Sequence, residues 1–147
     1  MEDLIALLVS TVLGTVVGWE RQLGRKPAGL RTHVLVCMGS TLFVVLSRHA
    51  VGQAAGLQAT INLDPTRIIH GVITGVGFLG AGSIMRQEGY VHGLTTAASV
   101  WIVAAIGVAV GVHAYALAST GTLLALLVLV GFRWLERFLS PDSDQGR

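Results

Sequence analysis

The side chains that could do chemistry in this sequence are few, and they stand at the edges of long apolar runs. Glu20 and Arg21 close the first run, Arg31 opens the second, Asp64 and Arg67 stand three apart at the head of the third, and Thr95 and Thr96 open the fourth. A charge near membrane depth is expensive, so each such residue is a functional candidate with a partner to be named. Glu20 reads as the partner of Arg21 and of Arg31, an ion pair that fixes the first turn or a polar step on an ion path. Asp64 is a natural helix cap, because its carboxylate accepts an orphan backbone N–H, and Pro65 suits the first helical position. With Arg67 it makes a surface pair of small energetic value. The hydroxyls of Thr95 and Thr96 bond carbonyls within the bundle or a ligand.

Other chemistries find less support. His33, His49, His70, His92 and His113 are scattered, with no pair at i, i+4, so neither zinc nor a nucleophilic constellation is expected. The lone Cys37 builds no disulfide framework. Mg²⁺ prefers oxygen ligands, one or two of them carboxylates. The acidic residues are Glu2, Asp3, Glu20, Asp64, Glu88, Glu136, Asp142 and Asp144, and none falls in the middle of an apolar run. No catalytic residue, metal ligand or cofactor is therefore expected, and the protein reads as non-enzymatic.

Residues 75–80 spell G-x-G-x-x-G. As a dinucleotide fingerprint this needs a preceding strand, a following helix and an acidic residue about 20 positions on. It sits instead inside an apolar run, and an Ala- and Val-rich run follows. Packing is the better reading. Gly71, Gly75, Gly77, Gly80 and Gly82 continue along one helix, while Gly14 and Gly18, then Gly107 and Gly111, repeat the four-residue spacing. In lipid, small residues let backbones approach, since apolar side chains gain little by leaving apolar tails. The competing reading has some of these glycines baring carbonyls to a pathway.

The elements that must hold these residues follow from composition. Of 147 residues, 52% are hydrophobic and 12% charged, about half the charged share of a soluble domain. Mean hydropathy of +0.70 excludes disorder and argues against a soluble globule. The runs predict five transmembrane helices, at residues 4–19, 30–46, 65–85, 93–112 and 114–132, in an all-α bundle of residues 1–139. Residues 51–63 read as a loop, 86–92 as a short turn, 133–138 as an interfacial anchor, and 140–147 as a disordered cytoplasmic tail. The acidic start, Met1-Glu2-Asp3, is unlike a secretory signal, so the first run reads as a retained helix.

Five crossings separate the termini. With the N-terminus out and the C-terminus in, eight of the ten Lys and Arg residues are cytoplasmic, and only Arg48 and Arg67 lie outside. The pI of about 9.2 thus reflects membrane topology; no basic, aromatic-interleaved patch points to nucleic acid.

The quoted residues resemble the MgtC/SapB family. The resemblance rests on Gly18-Trp19-Glu20-Arg21, on Ala28-Gly29-Leu30-Arg31-Thr32-His33, on Gly39-Ser40 and on Asp64-Pro65-Thr66-Arg67. It continues through GVGFLGAG at residues 75–82 and Gly93-Leu94-Thr95-Thr96-Ala97-Ala98, followed by Trp101. It implies a multi-pass protein of the bacterial inner membrane, linked to growth at low magnesium and, in pathogens, to survival in macrophages. Some members are reported to bind and restrain the membrane sector of ATP synthase, and the older label of magnesium transporter is disputed. Many members carry a soluble cytoplasmic domain after the last helix, and this chain is expected to be the hydrophobic domain without it. Some members have an amide where Thr95 stands, so a role for that amide transfers only as a polar position.

Three expectations follow. The protein is a regulator that binds another membrane protein or itself through glycine-lined faces; or a transporter or channel for Mg²⁺ or another small ion through Glu20, Arg31, Asp64, Arg67, Thr95 and Thr96; or a structural homodimer.

Overall fold

The computed structural model describes residues 1–55, 66–87 and 89–135. Among them are five α-helices and one hairpin: α1 (Glu2–Leu23), α2 (Leu30–Ala55), α3 (Thr66–Gly82), β1 (Met85–Gln87), β2 (Tyr90–His92), α4 (Leu94–Gly111) and α5 (Tyr115–Leu126). The last helix continues through a π-helical stretch, Leu127–Phe132, into residues 133–135.

Four segments are long and apolar enough to cross a membrane: Glu2–Leu23, Leu30–Gln53, Leu94–Gly111 and Tyr115–Leu135. The fifth helix, α3, is described over 17 residues, a rise of about 26 Å. Large apolar side chains point outward on every helix, among them Leu8, Val12, Phe43, Phe78, Trp101 and Leu124. Phe78 is 81% exposed. Water would penalise such a surface, whereas lipid tails solvate it.

The centre is α1, α2 and α4. Ala6, Val17, Cys37, Val103, Ile106 and Val110 form its core, joined by Ala118 of α5. A second cluster, Val72 and Val76 with Val100 and Ala104, seats α3 on α4.

Element boundaries differ from the sequence expectation in a consistent way. α1 runs four residues past the expected end and α2 nine past its own, so Glu20, Arg21, Arg48 and His49 are helical rather than in connections. Backbone hydrogen bonding continues where hydropathy stops, because helix-end charges reach the interface along their stems. The loop expected at 51–63 begins as helix through Ala55, and its remainder, with Asp64, Pro65 and the tail 140–147, lies outside the described residues.

The turn expected at 86–92 is an antiparallel hairpin pairing Met85 with His92, Arg86 with Val91 and Gln87 with Tyr90. Gly89 has φ +85° at its tip. Gly93 follows with φ +90° as the N-cap of α4, and a Cβ there would run into the Ser83 carbonyl. Gly93→Ala should therefore cost roughly 1–3 kcal/mol in strain alone. Gly89→Ala, with open space around it, should cost less. Thermal midpoints of the two variants in detergent measure the difference.

Candidate functional site

The polar groups gather at the two ends of the bundle and in one buried chain between α2 and α4. At the first end, the α1–α2 connection is short. Gly24 N–H donates to the Glu20 carbonyl at 3.0 Å and Lys26 N–H to that of Arg21 at 3.0 Å, with Arg25 at φ +49°. This turn brings the start of α2 against the end of α1.

Glu20 and Arg21 are buried there, at 8% and 3% exposure. Glu20 does not pair with Arg31, which is exposed. Its Oε1 accepts from Arg133 Nη2, and its Oε2 lies 3.6 Å from Arg21 Nη1. The correction has a geometric cause. A π-helical turn adds a residue to the turn and shifts the register of everything after it. The stretch at Leu127–Phe132 thus sets Arg133, part of the interfacial anchor expected at 133–138, against α1. Its guanidinium also covers Gly24, where a Cβ would lie 2.8 Å from Nη1. Among the described residues, Glu20 Oε2 and Arg21 Nε are buried without a hydrogen-bond partner.

One turn further in, His33 is fully buried. Its Nδ1 lies 2.8 Å from the Gly29 carbonyl, which only accepts, so Nδ1 carries a proton. Its Nε2 lies 3.1 Å from Ser99 Oγ, which is itself 2.8 Å from the Thr96 carbonyl. Ser99 has one hydrogen to give. A neutral ring accepts it at Nε2; an imidazolium donates instead and leaves it for Thr96. Deeper still, Thr41 Oγ1 lies 3.1 Å from the Cys37 carbonyl and 2.7 Å from that of Gly107, tying α2 to α4. The sequence alone leaves His33 among the scattered histidines, reads Arg133 only as part of an interfacial anchor, and gives no signal for Ser99 or Thr41. Only contacts between distant parts of the chain distinguish them.

The opposite end holds Asp3, Arg48, His49 and His113. His49 Nε2 lies 2.8 Å from Asp3 Oδ2, and Arg48 Nη1 donates to His113 Nε2 at 2.8 Å. His113, at φ +61°, makes the tight α4–α5 turn and stacks on Tyr115.

The remaining polar candidates separate. Thr96 is buried and Thr95 exposed, so the two hydroxyls lie in different surroundings. Arg67 is exposed in the first turn of α3, and Asp64 lies outside the described residues. Among the described residues no group of three His, Cys, Asp or Glu side chains could hold a metal ion.

The glycines also divide. A Cβ on Gly14 would lie 2.9 Å from Cys37 Cβ, one on Gly18 2.9 Å from Leu30 Cα, and one on Gly111 2.6 Å from Val44 Cβ. One on Gly107 would enter the Cys37 carbonyl. These four clamp α1 and α4 onto α2. Gly80 makes an ordinary contact with Ala97 at 3.6 Å, whereas Gly71, Gly75, Gly77 and Gly82 have nothing within 4 Å. The α3 glycines other than Gly80 therefore face open space in the single chain, and the G-x-G-x-x-G run is mid-helix with no strand leading into it. Gly71 and Gly75 line an apolar groove of about 720 Å³ between α2 and α3.

A bundle of apolar helices, sheathed in outward-facing Leu, Val and Phe and with its charges held at the ends, defines a multi-pass membrane protein. Comparison with known proteins makes this specific: residues 7–138 match the MgtC family, and the chain belongs to it. It is 44% identical to YhiD of Escherichia coli (strain K12) over 134 residues, 91% of this chain and 62% of YhiD. It is likewise 44% identical to protein SrpB of Synechococcus elongatus, over 89% of this chain and 75% of SrpB. Protein MgtC of Brucella abortus (strain 2308) is 38% identical over 87% of this chain and 50% of its own length. The chain thus spans about three-fifths of YhiD and half of the Brucella protein. No solved structure matches it.

Proposed function

We propose that this chain is a regulatory protein of the bacterial inner membrane, connected with magnesium supply, that acts by touching another membrane protein or a second copy of itself. The observation that carries this reading is the closure of the centre. α1 and α4 meet α2 backbone to backbone at Gly14, Gly18, Gly107 and Gly111. The Ser10, Thr41, Ser99 and Thr122 hydroxyls are spent on bonds within the bundle. An interior filled in this way leaves the lipid-facing surface as the working one. Small residues lie on that surface: Thr74, Gly77 and Ala81 are all exposed on α3, a face on which a partner helix approaches closely.

The positive-inside rule supports a cytoplasmic Arg21 end, with the N-terminus out and the C-terminus in. The relatives' names support the magnesium connection, since YhiD is named for magnesium transport and the Brucella protein is an MgtC. Family resemblance nominates the membrane sector of ATP synthase as the partner, and survival inside host cells as the setting in pathogens. The names also support a second reading, transport of Mg²⁺, for which buried Glu20, whose Oε2 accepts no hydrogen bond, is the polar step.

Two measurements separate these. Purified protein in liposomes loaded with a Mg²⁺ dye should show no flux above empty vesicles, and ATP synthase subunits should co-purify from native membrane. Gly77→Leu, placed where a side chain meets nothing in the chain itself, should lower that co-purification about tenfold, the effect of some 1.4 kcal/mol. Protein-dependent Mg²⁺ flux that disappears in Glu20→Gln would replace the regulator with a transporter.

A further inference from the structure

The groove between α2 and α3 is a second feature, independent of the Gly77 face. Its α2 wall is Leu35, Val36 and Phe43, and its α3 wall is Ile68, Val72 and Leu79. Gly39 on one helix and Gly71 and Gly75 on the other leave it hollow, since a Cβ on any of the three would meet nothing within 4 Å. One end carries a cation, Arg67. No carboxylate among the described residues pairs with it.

We propose that this groove binds a phospholipid of the leaflet level with Arg67, the acyl chain along the glycines and the phosphate on the guanidinium. Depth supports this occupant. From Arg67 to Leu79 is about 18 Å along the helix, close to half of a hydrocarbon core about 30 Å thick. The groove is therefore one leaflet deep, with its charge where that leaflet's headgroups lie. Chemistry supports it as well: a guanidinium's planar fork matches phosphate oxygens. A docked transmembrane helix would continue across the other leaflet, past the end of the groove. Gly75 and Gly77, two residues apart, lie about 160° from each other around the helix, so lipid and protein partner occupy different sides of α3.

The test uses the full chain in nanodiscs of phosphatidylcholine containing a small fraction of phosphatidylglycerol with a diazirine in one acyl chain. Photolabelling should concentrate on Leu35, Phe43 and Leu79. Gly75→Leu, which fills the groove, should cut labelling there about tenfold or more, and Arg67→Gln about tenfold, the worth of one charge-assisted hydrogen bond set. Arg67→Lys should retain part of the labelling. Helix content and elution volume in detergent report folding for each variant. Labelling spread evenly over the lipid-facing helices, or unchanged in folded Gly75→Leu, overturns the proposal. A change of oligomeric state in Gly75→Leu, with labelling unaltered, also overturns it and makes the groove a helix–helix interface. Because Gly77→Leu leaves this groove intact, failure of the protein-partner reading leaves the lipid result standing, and the reverse.

Discussion

Gly107→Leu should destabilise the bundle by about 4 kcal/mol, enough to abolish a monodisperse species in mild detergent. Overpacking of a tight interface costs roughly 1–3 kcal/mol and more where the obstacle is backbone. At Gly107 the obstacle is the Cys37 carbonyl, with the Ser40 Cβ at 2.9 Å on its flank. Pushing α4 away from α2 also breaks the 2.7 Å bond from Thr41 to the Gly107 carbonyl, about 1 kcal/mol net. The control is Gly77→Leu, the same change on an open helix face. There an added Cβ meets nothing, and Leu is a better helix former than Gly by roughly 0.5–1 kcal/mol. One glycine should thus be intolerant and the other neutral or stabilised on substitution. Midpoints of denaturation in mixed dodecyl sulfate micelles compare them directly. Equal tolerance at both positions would mean that α2 and α4 do not pack closely at Gly107.

That division within one residue type shows where the sequence is legible and where it is not. Hydropathy and length locate the apolar runs because the bilayer demands a minimum span whatever the neighbouring helices do. The four-residue spacing of Gly14–Gly18 and Gly107–Gly111 is a local property, and the contacts it permits are those found on α2. Gly71 and Gly75 have the same spacing but border a groove, because the helix that would have to meet them, α2, is already held by α1 and α4. No local pattern carries that information. The helix ends differ from the apolar runs for a related reason: hydropathy falls at Trp19 and Leu46, whereas the hydrogen-bond ladder continues to Leu23 and Ala55. The hairpin at residues 85–92 was legible only as a turn, since three-residue strands leave little alternation to read. The partner of Glu20 was the least accessible. Arg31 is 11 residues away and Arg133 is 113, and the choice between them depends on a wide turn in α5 that apolar residues disguise.

Glu20→Ala is the second large effect, about 3 kcal/mol. Removing one member of a buried ion pair leaves the other charge uncompensated, at a cost of roughly 3–5 kcal/mol. Here two cations are left, Arg21 at 3% side-chain exposure and Arg133 at 32%. The partial exposure of Arg133 lets water screen it, which places the expectation at the low end of that range. Structural consequences should be confined to one end of the molecule. In the π-helical stretch Leu127–Phe132 no residue is fully buried and Leu129 packs partly against the core, so the ion pair is the polar tie, beside that apolar contact, between the last turns of α5 and the end of α1. In Glu20→Ala the emission of Trp134, adjacent to Arg133, should change, while the α4–α5 turn around His113 stays as it is. Arg133→Gln alone should be milder, because Glu20 keeps Arg21. A double-mutant cycle between Glu20→Gln and Arg133→Gln should return a coupling of about 1–3 kcal/mol, the range of contacting charged groups. Additive single-mutant effects would show that Arg133 is not the residue that neutralises Glu20. The buried carboxylate would then answer to Arg21 alone, and the end of α5 would be held by apolar contacts.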